Sequence, residues 1–357
     1  MAVYTAIDDA GLFYYTKLYT GNGVAIGSGG NAITGVGFQP DFTWIKNRGT
    51  QGNQNFDSVR GATKVIWSDD NGAEVTRAES LTTWGADGFT CGSDGDVNTN
   101  TNTYVAWNWK AGTTSGIDTT GATITPTGYS FNQTSGFSIL QYSGNGVQGA
   151  TVAHGLGAAP ELIIIKATNT TESWPVGHAH MNASSPWDYY MYLNTTGLAA
   201  DDSAYFADTS PTSTVFSVGN NSSINSGSNT YVAYCWAPKQ GYSKFGSYVG
   251  NGNANGSVIY TGFRPAMTIT KVVAGGGNSW YMFDRLRSVP YNPQDGRLEA
   301  DGVGTETTSA KDMDYLCNGF KMRVSDSGMN HDGRTFIYAA FAEAPLVNSE
   351  GVPGNAR

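Results

Sequence analysis

Paired imidazoles and adjacent carboxylates are the residues of this chain best placed to do chemistry. His178-Ala-His180 would set two imidazoles on one face of a strand, an arrangement that metal sites use. No third ligand follows at a convincing spacing, so surface histidines are the better expectation. Asp69-Asp70 and Asp201-Asp202 lie in turn-like stretches. Neighbours in an extended strand point to opposite faces, which makes such pairs poor acid/base partners. Ser93-Asp-Gly-Asp-Val-Asn98 has the rhythm of a calcium loop, but it lacks the sixth-position glycine and acidic twelfth residue of an EF-hand. An ordinary turn is expected there, as in Asn330-His-Asp-Gly333. Gly-x-Ser-x-Gly, phosphate-loop and HExxH motifs do not occur. The sequence therefore reads as non-enzymatic, with no cofactor and no metal expected.

Binding is the other chemistry open to it. Trp174, Trp187, Tyr189 and Tyr190 cluster in a stretch that departs from the rest of the chain's pattern. Aromatic faces stack on sugar rings, so these four are the candidates for glycan contact. A core or subunit-contact role competes with that reading.

The elements that would position these residues are legible from repetition. Thr103-Tyr-Val-Ala-Trp-Asn-Trp-Lys-Ala-Gly112 returns as Thr230-Tyr-Val-Ala-Tyr-Cys-Trp-Ala-Pro238 and, more loosely, as Thr335-Phe-Ile-Tyr-Ala-Ala-Phe-Ala-Glu-Ala-Pro345. These nearly continuous apolar runs suit strands covered on both faces, with Tyr104, Tyr231 and Ile337 on equivalent strands. Tyr19-Thr-Gly-Asn-Gly23, Tyr142-Ser-Gly-Asn-Gly146 and Tyr248-Val-Gly-Asn-Gly252 open the three units, and Pro40, Pro160 and Pro265 each precede a lysine, Lys46, Lys166 and Lys271. Such a period is too long for a solenoid and fits a small domain used three times. The expected division is an N-terminal arm (1–15), unit 1 (16–112), a Thr/Gly-rich spacer (113–135), unit 2 (136–240), unit 3 (241–345) and a C-terminal tail (346–357). The spacer reads either as a linker or as an added surface hairpin. Alternating strands and Gly/Asn turns predict an all-β protein of three tandem antiparallel β-sandwiches.

Composition narrows the function. The 357 residues include 47 glycines, 12 % aromatic and 14 % charged residues, enough to bury and too little charge for disorder. A net charge of −9 without a basic cluster speaks against nucleic acid. Cys91, Cys235 and Cys317 fall one per unit at non-equivalent places, so free thiols are expected rather than a disulfide framework. No apolar run approaches a membrane span, and no basic, apolar leader opens the sequence, which suggests synthesis in a reducing cytosol.

The run Thr20-Gly-Asn-Gly23, Gly37-Phe-Gln-Pro-Asp-Phe-Thr-Trp-Ile-Lys-Asn-Arg48, Phe56-Asp-Ser-Val-Arg-Gly61, Asp87-Gly-Phe-Thr90 and Tyr104-Val-Ala-Trp-Asn-Trp-Lys-Ala-Gly112 resembles a module of bacteriophage virion proteins, many of them marine. Ile7-Asp-Asp9 and Gly351-Val-Pro-Gly-Asn-Ala-Arg357 are similar to the same proteins. The resemblance is close over 7–112, clear in unit 2 and faint in unit 3. It implies a lectin-like, concanavalin-type β-sandwich and a virion structural role, and it brings no catalytic residues. The expected role is a tail fibre or tail-associated adhesin that binds a host-surface glycan. The alternative is a capsid-decoration or head-fibre protein that binds only other virion proteins, and a glycan-active enzyme ranks behind both. Other virion proteins are the expected partners, with homo-oligomers, and without nucleic acid or membrane insertion. Leu12, Phe13, Tyr14 and Tyr15 form an apolar arm before the first Gly-Asn-Gly, expected to attach the chain to a partner or a sister copy. An edge strand added to the first sheet would cover them equally well.

Overall fold

The computed structural model describes residues 4–288, 292–308, 312–326 and 328–354, so the first three residues of the arm and the last three of the tail lie outside it. Strands hold 41 % of the chain and helices 6 %, as expected for an all-β protein. Among the described residues no helix is long and apolar enough to cross a membrane.

The first group of strands is β1 (Tyr14–Thr20), β2 (Asn31–Thr34), β3 (Phe42–Asn47), β4 (Asn53–Asp57), β5 (Lys64–Trp67), β6 (Val75–Thr76), β7 (Leu81–Gly85), β8 (Gly88–Cys91) and β9 (Thr103–Trp109). The second is β10 (Gly128–Asn132), β11 (Phe137–Ser143), β12 (Ala150–Ala153), β13 (Leu162–Ala167), β14 (Pro175–His178), β15 (Tyr189–Tyr192), β16 (Ala200–Asp201), β17 (Val215–Val218) and β18 (Thr230–Trp236). The third is β19 (Ser243–Val249), β20 (Val258–Tyr260), β21 (Phe263–Val272), β22 (Tyr281–Asp284), β23 (Leu298–Glu299), β24 (Met313–Leu316), β25 (Gly319–Met322) and β26 (Thr335–Pro345). Each group forms a larger and a smaller antiparallel sheet. The larger sheets run β1-β9-β3-β4-β5-β6, β10-β11-β18-β13-β14-β15-β16 and β19-β26-β21-β22-β23. Facing them are β2-β8-β7, β12-β17 and β20-β25-β24. The recurring runs are the central strands β9, β18 and β26, and they are buried on both faces as their composition requires.

One face of each central strand fills a sandwich. The other meets its sisters. Trp109, Trp236 and Phe341 occupy one register position, pairing with Tyr14, Phe137 and Ser243. Their rings meet in a triangle: Trp109 lies 6.0 Å from Trp236 and 5.3 Å from Phe341, and Trp236 lies 6.4 Å from Phe341. The largest apolar cluster accordingly runs through all three sandwiches, which close into a ring about this triangle, while the first and second also keep interior cores of their own.

The ring is cyclic in its polar contacts too. Asp57, His178 and Asp284 share a register position, opposite Phe42, Leu162 and Met267. Asp57 of the first sandwich accepts the Tyr234 hydroxyl of the second at 2.7 Å. His178 of the second bonds through Nε2 to the Tyr338 carbonyl of the third at 3.1 Å. Asp284 of the third accepts the Trp107 indole N–H of the first at 2.9 Å. The three lysines after the prolines sit at the same junctions. Lys166 donates to Asn71 O of the first sandwich at 3.0 Å and Lys271 to Thr195 O of the second at 3.3 Å, while Lys46 donates to the Gln51 carbonyl of its own sandwich and feels the Glu299 carboxylate of the third. Burial pushes each of these ammonium groups down to about 8.

The Tyr-x-Gly-Asn-Gly signature proves to be scaffolding. Tyr19, Tyr142 and Tyr248 stack on Tyr104, Tyr231 and Phe336 at 5.0, 5.1 and 5.1 Å and donate to the carbonyls of Val97, Ile224 and Met329. Asn22, Asn145 and Asn251 each exchange hydrogen bonds with a partner asparagine, Asn98, Asn225 and Asn330. The first glycine is dictated by space, since a Cβ at Gly21, Gly144 or Gly250 would fall 2.1–2.2 Å from a backbone oxygen. The second adopts positive φ (67°, 70° and 60° at Gly23, Gly146 and Gly252), a conformation that glycine adopts without strain.

Candidate functional site

What the ring leaves open is the side of each sandwich where the edges of its two sheets diverge. In the first sandwich the Lys17 ammonium reaches Gly35 across the gap between β1 and β2, close enough that a Cβ on Gly35 would sit 3.0 Å from it. In the second, the stretch 113–132 fills the gap. β10 pairs with β11, Thr113 bridges Phe131, and Ile124 bridges Val152 of β12. Ile124 enters the sandwich core, with Ile117 and Tyr129 packed against it. The Thr/Gly-rich spacer is thus an edge strand and plug, and not a linker.

The third sandwich has no added strand, and its lysine sits elsewhere on the edge strand: Lys244 of β19 reaches the Tyr260 carbonyl of β20. Gly246 stands where Lys17 stands in β1, and among the described residues only Lys239, bridging to Ser243, pairs with the outer edge of β19. The result is an open cleft of about 850 Å³ between β19 and β20. Lys239 and Ser243 exchange main-chain hydrogen bonds, so Ser243 points its polar groups away from β26. By alternation Phe245, Ser247 and Val249 do likewise, toward the cleft side.

The cleft's rim is apolar where its sisters are not. Val249, Val258 and Tyr260 are 57 %, 56 % and 50 % exposed. The registers put Thr20, Ala32 and Thr34 at these positions in the first sandwich, and Ser143, Thr151 and Ala153 in the second. Lys244 donates to the Tyr260 carbonyl at 2.8 Å and lies 5.3 Å over its ring. Tyr4 donates to Gly262 O at 2.8 Å beside the Tyr260 hydroxyl, and burial raises its phenol to about 12. Glu161 and His180 face each other at 3.8 Å on the opposite wall. On the floor lies Tyr338, 3 % exposed, where β9 and β18 carry Ala106 and Ala233. A Cβ on Gly246 would meet its hydroxyl at 2.6 Å, so that glycine makes room for it. No hydrogen bond joins that hydroxyl to any described residue.

The residues singled out from sequence are dispersed. Trp174 is 1 % exposed and donates its indole N–H to Asp70 O at 2.9 Å, at the junction between the first and second sandwiches. Its register position, opposite the buried lysine, is taken by Asn53 in the first sandwich and Trp280 in the third, so Trp174 recurs after all. Trp187 is 5 % exposed, with its ring 5.5 Å from Phe206 inside the second sandwich. Neither indole has a free face for a sugar. Tyr189 and Tyr190 remain partly exposed, and Tyr190 stacks on Tyr205 at 3.4 Å.

The arm is also absorbed. Tyr14 begins β1, has Phe137 as its counterpart, stacks on Phe341 at 5.4 Å and meets Trp109 at a tilt at 5.1 Å. Phe13 leans on Tyr242 at 6.1 Å, while Tyr15 is partly buried within β1. Leu12 alone of the four stands well exposed, at 50 %. Ahead of them Thr5 donates to Gln240 O at 2.8 Å, in the connection between the second and third sandwiches, and Tyr4 ties the arm to the third through Gly262 O.

The remaining candidates have local explanations. Asp94 and Asp96 face the Arg77 guanidinium at 3.3 and 2.7 Å, and among the described residues no group of three His, Cys, Asp or Glu side chains could hold a metal ion. Asp69 accepts from the Asn53 backbone, Asp202 caps a one-turn helix by accepting from Ala204 N, and His331 turns onto the Asp332 carbonyl. Cys91, Cys235 and Cys317 are free thiols, the first two buried.

Sequence reasoning missed Lys244, Val249, Val258, Tyr260 and Tyr338. The signal was there: laying the repeats over one another shows Val against Thr and Ser at 249, and Tyr against two alanines at 338. No curated protein and no solved structure matches the chain. A family does: residues 9–345, nearly the whole chain, match the family described as Domain of unknown function (DUF7483), to which this protein belongs.

Proposed function

We propose that this chain is a non-enzymatic component of a bacteriophage particle whose working surface is the open cleft of the third sandwich. The observation that carries the binding role is the exposed trio Val249, Val258 and Tyr260, standing where the sister sandwiches carry threonine, serine and alanine. An apolar patch present at one of three equivalent places fits a docking surface, since exposed apolar area left uncovered promotes association. The phage setting rests on the motif resemblance alone.

The surface favours attachment to other virion proteins over a glycan. Of the four aromatics first considered for sugar stacking, the two indoles are interior, and the exposed trio is aliphatic but for Tyr260. A second reading keeps the host glycan at this same cleft, because Tyr4, Tyr260, Lys244, Glu161 and His180 bring aromatic and polar groups together there.

The test is particle assembly. Immunogold labelling of intact particles should place the protein on head or tail, and a Val258→Asp variant that folds normally should be left out of particles. Equal incorporation of that variant would overturn the cleft as the attachment surface. Steady turnover of a glycan or peptide by the pure protein would overturn the non-enzymatic role.

A further inference from the structure

Sandwich two shows what such a cleft accepts. There a run of extended chain adds β10 to β11, crosses to β12 through Ile124, and sets Ile117, Ile124 and Tyr129 against the core. Its Thr127 N–H reaches Gln141 O at 2.7 Å, and Gln141 occupies the register position of Ser247 in β19. The third sandwich presents the same two sheet edges, the same outward main-chain alternation and a void of about 850 Å³.

Resting on the reading of this cleft as the attachment surface, we infer that it takes an extended segment of another polypeptide, which adds an antiparallel strand to β19. That segment covers Val249, Val258 and Tyr260 with apolar side chains and turns a carboxylate toward Lys244. Pairing with an exposed sheet edge supplies main-chain hydrogen bonds, and the flanking pockets select the side chains.

Two features set the occupant's chemistry. Lys244 stands where Ser138 stands in β11, opposite Phe131 of β10, so the corresponding residue of the incoming strand faces an ammonium group. Charge complementarity therefore calls for aspartate or glutamate at that place. A second copy of this chain is the poorer fit, because it brings a net charge of −9 against −9. The second feature is the Tyr338 hydroxyl, which opens onto the cleft floor and has no hydrogen-bond partner among the described residues. A hydroxyl that faces an open cleft can exchange its water for a polar group the occupant brings.

The chain supplies its own probe: a fluorescent peptide with the sequence of residues 113–132, carrying Phe131→Glu to meet Lys244. Titrated against the full-length protein, it should bind saturably, and several-fold tighter than the same peptide with Phe131 retained. Ser247→Pro removes an N–H that points away from β26, so it should leave the melting temperature in place and weaken binding at least tenfold. Val258→Asp should do the same. Absence of saturable binding, or binding that ignores both substitutions, overturns the strand inference. So does concentration-dependent self-association that Ser247→Pro abolishes, which would make a second copy the occupant. If the peptide fails while Val258→Asp still excludes the protein from particles, the strand falls and the attachment surface stands. Normal incorporation of that variant removes the surface itself.

Discussion

Two junctions of the ring are built on charge, and the third is not. Between the first and second sandwiches, Asp57 holds Arg60 at 2.5 Å and accepts from Tyr234, with both charged side chains wholly buried. Between the third and first, Asp284 holds Arg287 at 2.5 Å and accepts from Trp107, whose ring lies 5.4 Å from the guanidinium. Between the second and third, the equivalent residue is His178, and Ala339 takes the place of Trp107 and Tyr234. A cavity of about 20 Å³ remains beside it, lined by Leu162, Ile164, Ile269 and Trp280 among others. One register position can thus be filled by an ion pair with an aromatic donor, or by a neutral imidazole on a carbonyl. The lesson is that the fold fixes where a junction contact falls and leaves its chemistry free.

The largest effect should come from breaking a charged junction. Asp57→Ala leaves the buried Arg60 with only Glu74, at 3.2 Å, as an ion-pair partner, and breaking a buried pair costs about 3–5 kcal/mol. Chemical denaturation should show that loss, and a change under 1 kcal/mol would mean the two kinds of junction hold equally through packing alone. Trp109→Ala, at the central triangle, should cost a similar amount, roughly 3–5 kcal/mol, because it empties a buried site that touches both other sandwiches. His178→Ala should cost less, about 1–3 kcal/mol for a lost buried hydrogen bond, since no partner charge is stranded.

Acidity sharpens the contrast. Burial depresses the His178 imidazole from 6.5 to about 3, with the His180 ring 5.8 Å away and the Tyr338 carbonyl on its Nε2. The unfolded chain takes the proton first, so stability is full above about 6.5 and drains away as pH falls toward 3. His154, depressed to about 4, adds to this loss, while Asp312, raised by burial to about 6, opposes it. His178→Gln should therefore show a shallower fall in melting temperature between pH 6.5 and 4 than the unsubstituted protein. Parallel curves would detach the acid response from the second junction. The smallest effect is a gain: Ala339→Val should fill the cavity and raise stability by up to about 1 kcal/mol.

How far the sequence could be read depended on whether a feature repeats. The Tyr-x-Gly-Asn-Gly turns and the central strands recur because local sterics and stacking demand them, and both were visible in one chain. Their ring arrangement was not. Asp57, His178 and Asp284 do the same positional work with unlike side chains, and no pattern search equates an aspartate with a histidine. Trp174 misled for the related reason that its counterparts are Asn53 and Trp280, one of them not aromatic. The apolar arm misled because Tyr14 meets rings from strands nearly a hundred and more than three hundred residues further along the chain, contacts that no local pattern carries. The cleft was legible only by asking where the third unit departs from the other two, at 246, 249, 258, 260 and 338.

Because the three sandwiches are one polypeptide, the ring escapes a constraint that binds a symmetric trimer. In a trimer of identical chains every substitution appears three times, and a mouth that opens must open everywhere. Here the first mouth is crossed by Lys17, an added strand fills the second, and the third keeps a cleft beside Gly246 even though Lys244 crosses it. Covalent fusion has turned three copies of one surface into three independently heritable surfaces on one rigid frame.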